Sequence, residues 1–385
     1  MATTASFQGY ISNGTSGVAG TILNITTMTA GTIQLGMNVS NASVLANTTV
    51  LDFISGTGTT GTYKVSKSQS VGQSASPSVM TATTASIITA LDYNYIQAIA
   101  SSVLGTPSGT TGYNQTVLSS QIPGSVTSIT ATQWNNLRTD LLNSYIHQGS
   151  IGSLPSPGVP TKTTSPTGLV ASTDFSKYIA IANSINANPL TIAASGQASL
   201  TTNTYTRTTP WNTNLTQTIT LTWTSAGDLR GFFNAGGKFN FYASLIGYQV
   251  SDPGYAKSVD WNTLLTNMKV ITMNYNSTTS TGSYTSILGS TGFYQLTTSN
   301  IVLFDKTTAS PTYTNNKYTI SARVNNVATP TQLIFTIQFN DASGQPNPPY
   351  GTDETVTGTL TSVMQIFYSS GNVASAYPTI SNSGP

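Results

Sequence analysis

Very few residues in this chain can do chemistry. Across 385 residues there is one histidine, His147, one glutamate, Glu354, and no cysteine, with 13 Lys plus Arg and 11 Asp plus Glu in all. Histidine or thiolate zinc sites therefore lack parts, and a serine-histidine-aspartate triad has only His147 to draw on. His147 falls at the end of a helical pattern, where an imidazolium meets the negative end of the helix dipole. No Gly-x-Ser-x-Gly marks a strand-to-helix elbow for it to serve. Glycoside hydrolysis needs two carboxylates flanking a sugar bond. Asp353 and Glu354 are adjacent and point to opposite faces if they lie on a strand. Asp252 sits in the turn signature "SDPG", Asp305 and Asp341 at apparent strand ends, and Asp92 and Asp140 on helices, where capping or a pair with Arg138 is the ordinary role. Calcium needs several oxygens in one loop; "NDASGQPN" is the nearest approach and reads as a turn. The expectation is no enzyme, with no catalytic residue, no cofactor and no metal.

The stretch "DLRGFFNAGGKFNFYASL", residues 228 to 245, poses the sharpest choice, between a phosphate loop and a packing bend. A phosphate site places its glycines before a helix, so that free N–H groups face the anion. Here Gly236 and Gly237 follow the helical residues, where carbonyls are exposed and a left-handed exit is needed. Ser225 or Asp228 can cap the short helix, and Phe232 and Phe233 can bury. Phe239 and Phe241 then point to one face of a strand, with Asn240 and Tyr242 on the other. "VDWNTLLTNM" repeats the device, with Asp260 read as the cap and Trp261, Leu264, Leu265 and Met268 as the buried face. Two such helical turns can plug the ends of one sandwich.

Only 6% of residues are charged, against about 25% in an ordinary soluble domain, so the surface must be Thr, Ser, Asn, Gln and Gly. Disordered chains are poor in hydrophobic residues, whereas 38% are hydrophobic here, so the chain folds. The net charge of +2 is scattered, with no basic stripe to neutralise phosphates; nucleic acid is not an expected partner. No apolar run has the length of a membrane span, and "MATTASFQGY" lacks the basic and apolar regions of a secretory signal. Trp211, Trp223, the many tyrosines and the loop "PNPPYGTDE" can stack on sugars, although rings of this kind also serve cores and protein interfaces.

These residues need positioning elements, and the periodicities predict a mainly β chain. Residues 1–80 read as a small β module, with "NTTVLDFISGTGTTGTYKVSKS" as two strands around a turn. Val50, Phe53, Tyr63 and Val65 flank that turn, and Gly56, Gly58 and Gly61 supply its positive φ. Residues 81–150 read as a helical segment. One helix, near 84–104, carries Ile87, Leu91, Tyr95, Ile99 and Val103, widened by Ile88 and Ile96. The other, near 132–147, starts at Thr132 and buries Trp134, Leu137, Leu141 and Tyr145. Residues 151–200 read as a Pro/Ser/Gly linker with a short helix around Phe175, Tyr178, Ile179 and Ala182. Residues 201–370 read as an antiparallel β-sandwich, jelly-roll-like, with Ile219, Leu221 and Trp223 on one face of an early strand. Residues 371–385 read as a tail arm on the surface.

Three stretches resemble structural proteins of tailed bacteriophages. "TAGTIQLGM" followed by "SGTGTTGTYKVS" is similar to small β-domains of phage virion proteins, over about seventy residues. "ITALDYNYIQ" through "ATQWNNLRTDLLNSYIHQGS" resembles uncharacterised structural proteins of T4-like phages, particularly those of the marine, cyanophage type. "LRGFFNAGG" with the downstream "DWNTLL" resembles the same proteins across most of the C-terminal domain. The resemblance implies a virion component, made in the host cytoplasm and exposed on released particles, at a tail, baseplate or fibre position. A capsid-surface decoration or head fibre is the alternative place, and an adhesin for host surface glycan the alternative function. Expected partners are other virion proteins and further copies, in trimer- or hexamer-related symmetry. Trp134, Leu137, Leu141, Tyr145, His147, Phe232, Phe233, Gly236, Gly237 and Trp261 are the expected structural or interface residues.

Overall fold

The computed structural model describes residues 4–84, 88–123, 129–149, 172–187, 198–283, 291–308, 312–342 and 354–384. The expected linker at 151–170 and the loop from Pro346 to Asp353 lie outside the described residues, as does most of "NDASGQPN". The chain is mainly β with antiparallel sheets. It forms two compact units, residues 1–105 with 116–189, and residues 106–115 with 190–385. No helix among the described residues is long and apolar enough to cross a membrane.

In the first unit, β1 (Thr4–Ser12), β2 (Gly20–Ala30), β3 (Met37–Ser40), β4 (Thr48–Phe53), β5 (Gly61–Gln69) and β6 (Ser78–Thr84) close into a barrel. Its order is β1-β2-β5-β4-β3-β6, with β6 pairing back onto β1. Period-two alternation sends Phe7, Ile11, Leu23, Ile25, Val50, Tyr63 and Val65 inward to one core. The β4–β5 hairpin turns as its glycines predict, with φ of +86° at Gly56, +93° at Gly58 and +149° at Gly61. Closure leaves no open sheet edge in this module.

Three helices share this unit: α1 (Ala90–Leu104), α2 (Ala131–His147) and α3 (Ser172–Ala187). Trp134 sits among them, 5.2 Å from the Tyr93 ring, 4.9 Å from Tyr178 and 6.4 Å from Phe175. The start of α1 and the cap of α2 differ from the sequence expectation, while α2 spans Ala131–His147 as expected. The α1 helix begins at Ala90, not near 84, because Thr89 and Asp92 form a reciprocal capping box. For α2 the cap is Thr130 with Gln133, not Thr132. The predicted stripe on α1 is also rotated. Of its residues Ile96 and Val103 are buried as expected, but Leu91 is 46% exposed, and Tyr93 and Ala100 complete the buried face in its place; Ile87 is outside the described residues.

The second unit holds two five-stranded sheets. One has the order β11 (Thr278–Ser280), β10 (Ile271–Met273), β9 (Lys238–Ile246), β15 (Thr359–Ser369), β7 (Ala198–Arg207). The other runs β12 (Ile301–Thr307), β13 (Lys317–Val324), β14 (Gln332–Asn340), β8 (Leu215–Thr222), β16 (Thr379–Ser383). Their inner faces share one core, in which Phe335 of the second sheet lies 5.2 Å from Phe239 and 4.8 Å from Phe241 of the first.

Two helices close opposite ends of this core, since Leu215 and Leu221, six residues apart on β8, face Phe339 and Leu333. Helix α4 (Ala226–Asn234) lies at the Trp223 end, with Phe232 5.4 Å from Trp223. Helix α5 (Tyr255–Met268) lies at the other, with Trp261 5.1 Å from Trp211 and 6.2 Å from Phe339. Ser225 caps α4. Its exit is a Schellman turn: Gly237 N donates to Phe232 O at 2.8 Å, Gly236 N to Phe233 O at 3.0 Å, and Gly236 has φ +87°. The glycines follow the helix and close its C-terminal end, a packing turn and not a phosphate loop. Asp260 does not cap α5. That helix starts at Tyr255, directly out of the "SDPG" turn, whose Asp252 carbonyl accepts from Tyr255 N.

The tail is not an arm. Thr379–Ser383 is strand β16, paired with β8 through Ile380 opposite Leu221, and Trp223 Nε1 donates to Ala376 O at 3.1 Å. Strand β7 was missed as well, because its Thr/Asn alternation carries little apolar signal. Deleting residues 377–385 is expected to lower the melting temperature of the second unit, by about 2–4 °C for each kcal/mol lost. Differential scanning calorimetry checks this, and an unchanged melting temperature would mean the strand is a passive appendage.

Candidate functional site

The scarce carboxylates accept from the chain's own backbone and side-chain donors. Asp52 accepts from Phe53 N at 2.8 Å and Asn183 Nδ2 at 2.9 Å. Asp92 accepts from Thr89 N at 2.9 Å. Asp140 accepts from Leu118 N, Ser119 N and Ser119 Oγ, fastening an irregular segment to α2. Asp228 accepts from Asn114 Nδ2 and Ser225 Oγ, both at 2.8 Å. Asp252 accepts from Gln249 N at 2.7 Å and Thr357 Oγ1 at 2.8 Å.

The remaining acids supply the closest approach to a reactive cluster, at the α5 end of the second unit. Lys257 Nζ lies 2.9 Å from Asp341 Oδ2, both side chains fully buried, and donates to Glu354 O at 2.8 Å. Tyr313 donates from its hydroxyl to Glu354 Oε2. Burial raises the Tyr313 pKa, reinforced by the charges of Glu354, Asp260 and Asp341. A phenol pushed up in this way stays protonated and is no nucleophile. Beside it, Thr357 N donates to the buried Ser258 Oγ at 2.9 Å, and Val356 pairs by both backbone bonds with Trp211. The bonds of this cluster tie helix α5 to the end of β14 and to the segment from Glu354 to Thr357. Asp305 pairs with Lys317 at 2.9 Å on the surface.

A groove of about 260 Å³ lies between β5 and α1, lined by Leu51, Lys64, Ser66, Leu91, Asn94 and Tyr95. The Lys64 ammonium stands 5.0 Å from the centre of the Tyr95 ring, and burial pushes the Tyr95 pKa up to about 12. Asn94 is engaged both ways with the Ile122 backbone. The groove offers one cation, apolar walls and no carboxylate among its lining groups. It suits contact rather than acid–base chemistry.

The residues singled out from sequence fall inside cores. Trp134, Leu137, Leu141, Tyr145 and His147 are buried in the three-helix core, and Phe232, Phe233 and Trp261 in the two-sheet core. These side chains are covered by their own chain, so any contact with other subunits falls to other residues. Trp211 and Trp223, read as possible sugar platforms, are 4% and 3% exposed and unavailable for stacking. Sequence reasoning missed Lys257 and Asn234. Asn234 Nδ2 donates to the carbonyls of Gly109, Thr111 and Gly112, and its Oδ1 accepts from the Tyr294 hydroxyl, clasping segment 106–115 onto α4. Nothing in "FFNAGG" marks that asparagine apart from its place beside two buried phenylalanines.

Among the described residues no group of three or more His, Asp or Glu side chains is arranged to hold a metal ion. No protein family, curated protein or solved structure matches this chain.

Removing one partner of a buried ion pair costs about 3–5 kcal/mol, so Lys257→Met and Asp341→Asn should each destabilise strongly. Their double variant should cost less than the sum, as urea denaturation in a double-mutant cycle would report. Two aspartates should shape the acid limb in opposite senses. Hydrogen bonds from Gln249 and Thr357 lower the Asp252 pKa from its ordinary 3.8, so its stabilisation is present above that value and lost as pH falls through the folded one. Burial raises the Asp92 pKa despite its Thr89 hydrogen bonds, so the stability it gives when protonated is present below 3.8 and lost as pH rises through the folded value. Stability-versus-pH curves should therefore shift oppositely for Asp252→Asn and Asp92→Asn.

Proposed function

We propose that the chain is a non-enzymatic structural protein of a tailed-bacteriophage particle, working by assembly with copies of itself and with other particle proteins. The observation that carries the non-enzymatic part is the employment of the carboxylates. Asp52, Asp92, Asp140, Asp228, Asp252, Asp305, Asp341 and Glu354 are each engaged by the chain's own donors. An acid that holds a loop or pairs with an internal lysine is not poised to move a proton on a substrate. Support for the particle comes from the three sequence resemblances and from a surface built of uncharged hydroxyl and amide groups.

The position proposed is the tail, baseplate or fibre, with capsid-surface decoration as the alternative, and the second unit is read as a jelly-roll-like scaffold. A glycan adhesin is a weaker reading, since Trp211 and Trp223 are buried. Antibody against this polypeptide, imaged on intact particles by electron microscopy, should decorate a defined site. Absence of the chain from purified particles would refute the proposal. Purified protein mixed with host polysaccharide should release no reducing ends.

A further inference from the structure

The two sheets of the second unit treat their edges differently. On one side they end in β11, only three residues long, and in β12, which carries Asp305 and Lys306 and has a register shift between Val302 and Phe304. Short strands, charges and bulges are the devices that block strand addition. On the other side they end in β7 and β16, brought together where Asn382 Nδ2 donates to Asn203 Oδ1 at 3.1 Å. Strand β7 runs ten residues in unbroken antiparallel register with β15, without proline or bulge. Its only charge is Arg207, at the last position. Among the described residues no strand pairs with its outer edge, and Thr202, Thr204 and Thr206 are exposed on its outer face.

We infer that the outer edge of β7 pairs antiparallel with β7 of a second copy, joining two sheets into one across a two-fold axis. A second copy is the occupant because the strand is neutral through its middle. Antiparallel self-pairing about residues 202–204 sets threonine against threonine on the outer face and brings no like charges together, and opposed threonines are a favourable cross-strand pair. A basic or acidic partner would find no counter-charge there. The two-fold operation also makes the interface isologous and closed, so pairing stops at two copies at this edge instead of running on into fibres.

This rests on the proposed self-assembly, and its test separates the two. Full-length protein is measured by light scattering at low ionic strength alongside Thr202→Lys/Thr204→Lys and Thr202→Glu/Thr204→Glu. These exposed substitutions set like charges opposite one another in any register centred on residues 202 to 204. Each variant should fall to half the wild-type mass with unchanged circular dichroism, and an equimolar mixture should recover it. Amides of residues 198–207 should exchange more slowly as wild-type concentration rises. A lysine variant that keeps the wild-type mass, or a mixture that stays dissociated, overturns the β7 pairing and leaves self-assembly standing. A wild-type chain that is monomeric at every concentration overturns both.

Discussion

A carboxylate accepting hydrogen bonds from the chain's own backbone is the interaction on which the rest of this structure depends. Barrel, helices and sheets are joined by irregular segments whose N–H groups have no ladder to enter, and a buried amide without a partner is costly. A charged acceptor meets several such groups at once. Asp140 takes two successive N–H groups and a hydroxyl from residues 118–119, and Asp252 ties the entrance of α5 to Thr357. With so few acids in the chain, their placement marks where the fold would otherwise come loose.

The sparsely charged surface and the engaged acids go together. A chain with so few charges is held together by shape, aromatic packing and neutral polar contact. The interior fits that description. Phe335 locks between Phe239 and Phe241, Phe233 stacks on Phe293 at 4.4 Å, and two tryptophan-bearing ends are sealed by short helices. The Lys257–Asp341 pair is the exception that proves informative. A buried pair of charges adds little net stability but fixes which groups must meet, here α5 with the end of β14 and the segment at Glu354.

Segment 106–115 shows how the chain is threaded. It leaves the first unit after α1, packs under α4 through Asn234 and Asp228, and returns at Thr116. Deleting those ten residues would not shorten a loop; it would remove part of the second unit. Polar side chains clasping its carbonyls hold it, together with the fully buried Tyr113.

Local signals determined a good deal on their own. Glycine positions forced the β4–β5 turn and the exit of α4, because positive φ leaves few alternatives. The period of two placed Ile219, Leu221, Phe239 and Phe241 inward, and the period near four put Trp134, Leu137 and Leu141 on one helix face. Tertiary structure decided what depends on partners distant in sequence. Leu91 lost its place in the α1 core, since the helix turns to present Tyr93 to Trp134. The tail became a strand because β8 had an edge to pair. Lys257, Asp341 and Glu354 met across 97 residues of chain. No local pattern encodes such meetings, because hydrogen bonds and ion pairs between remote residues exist only after the sheets have set their ends side by side.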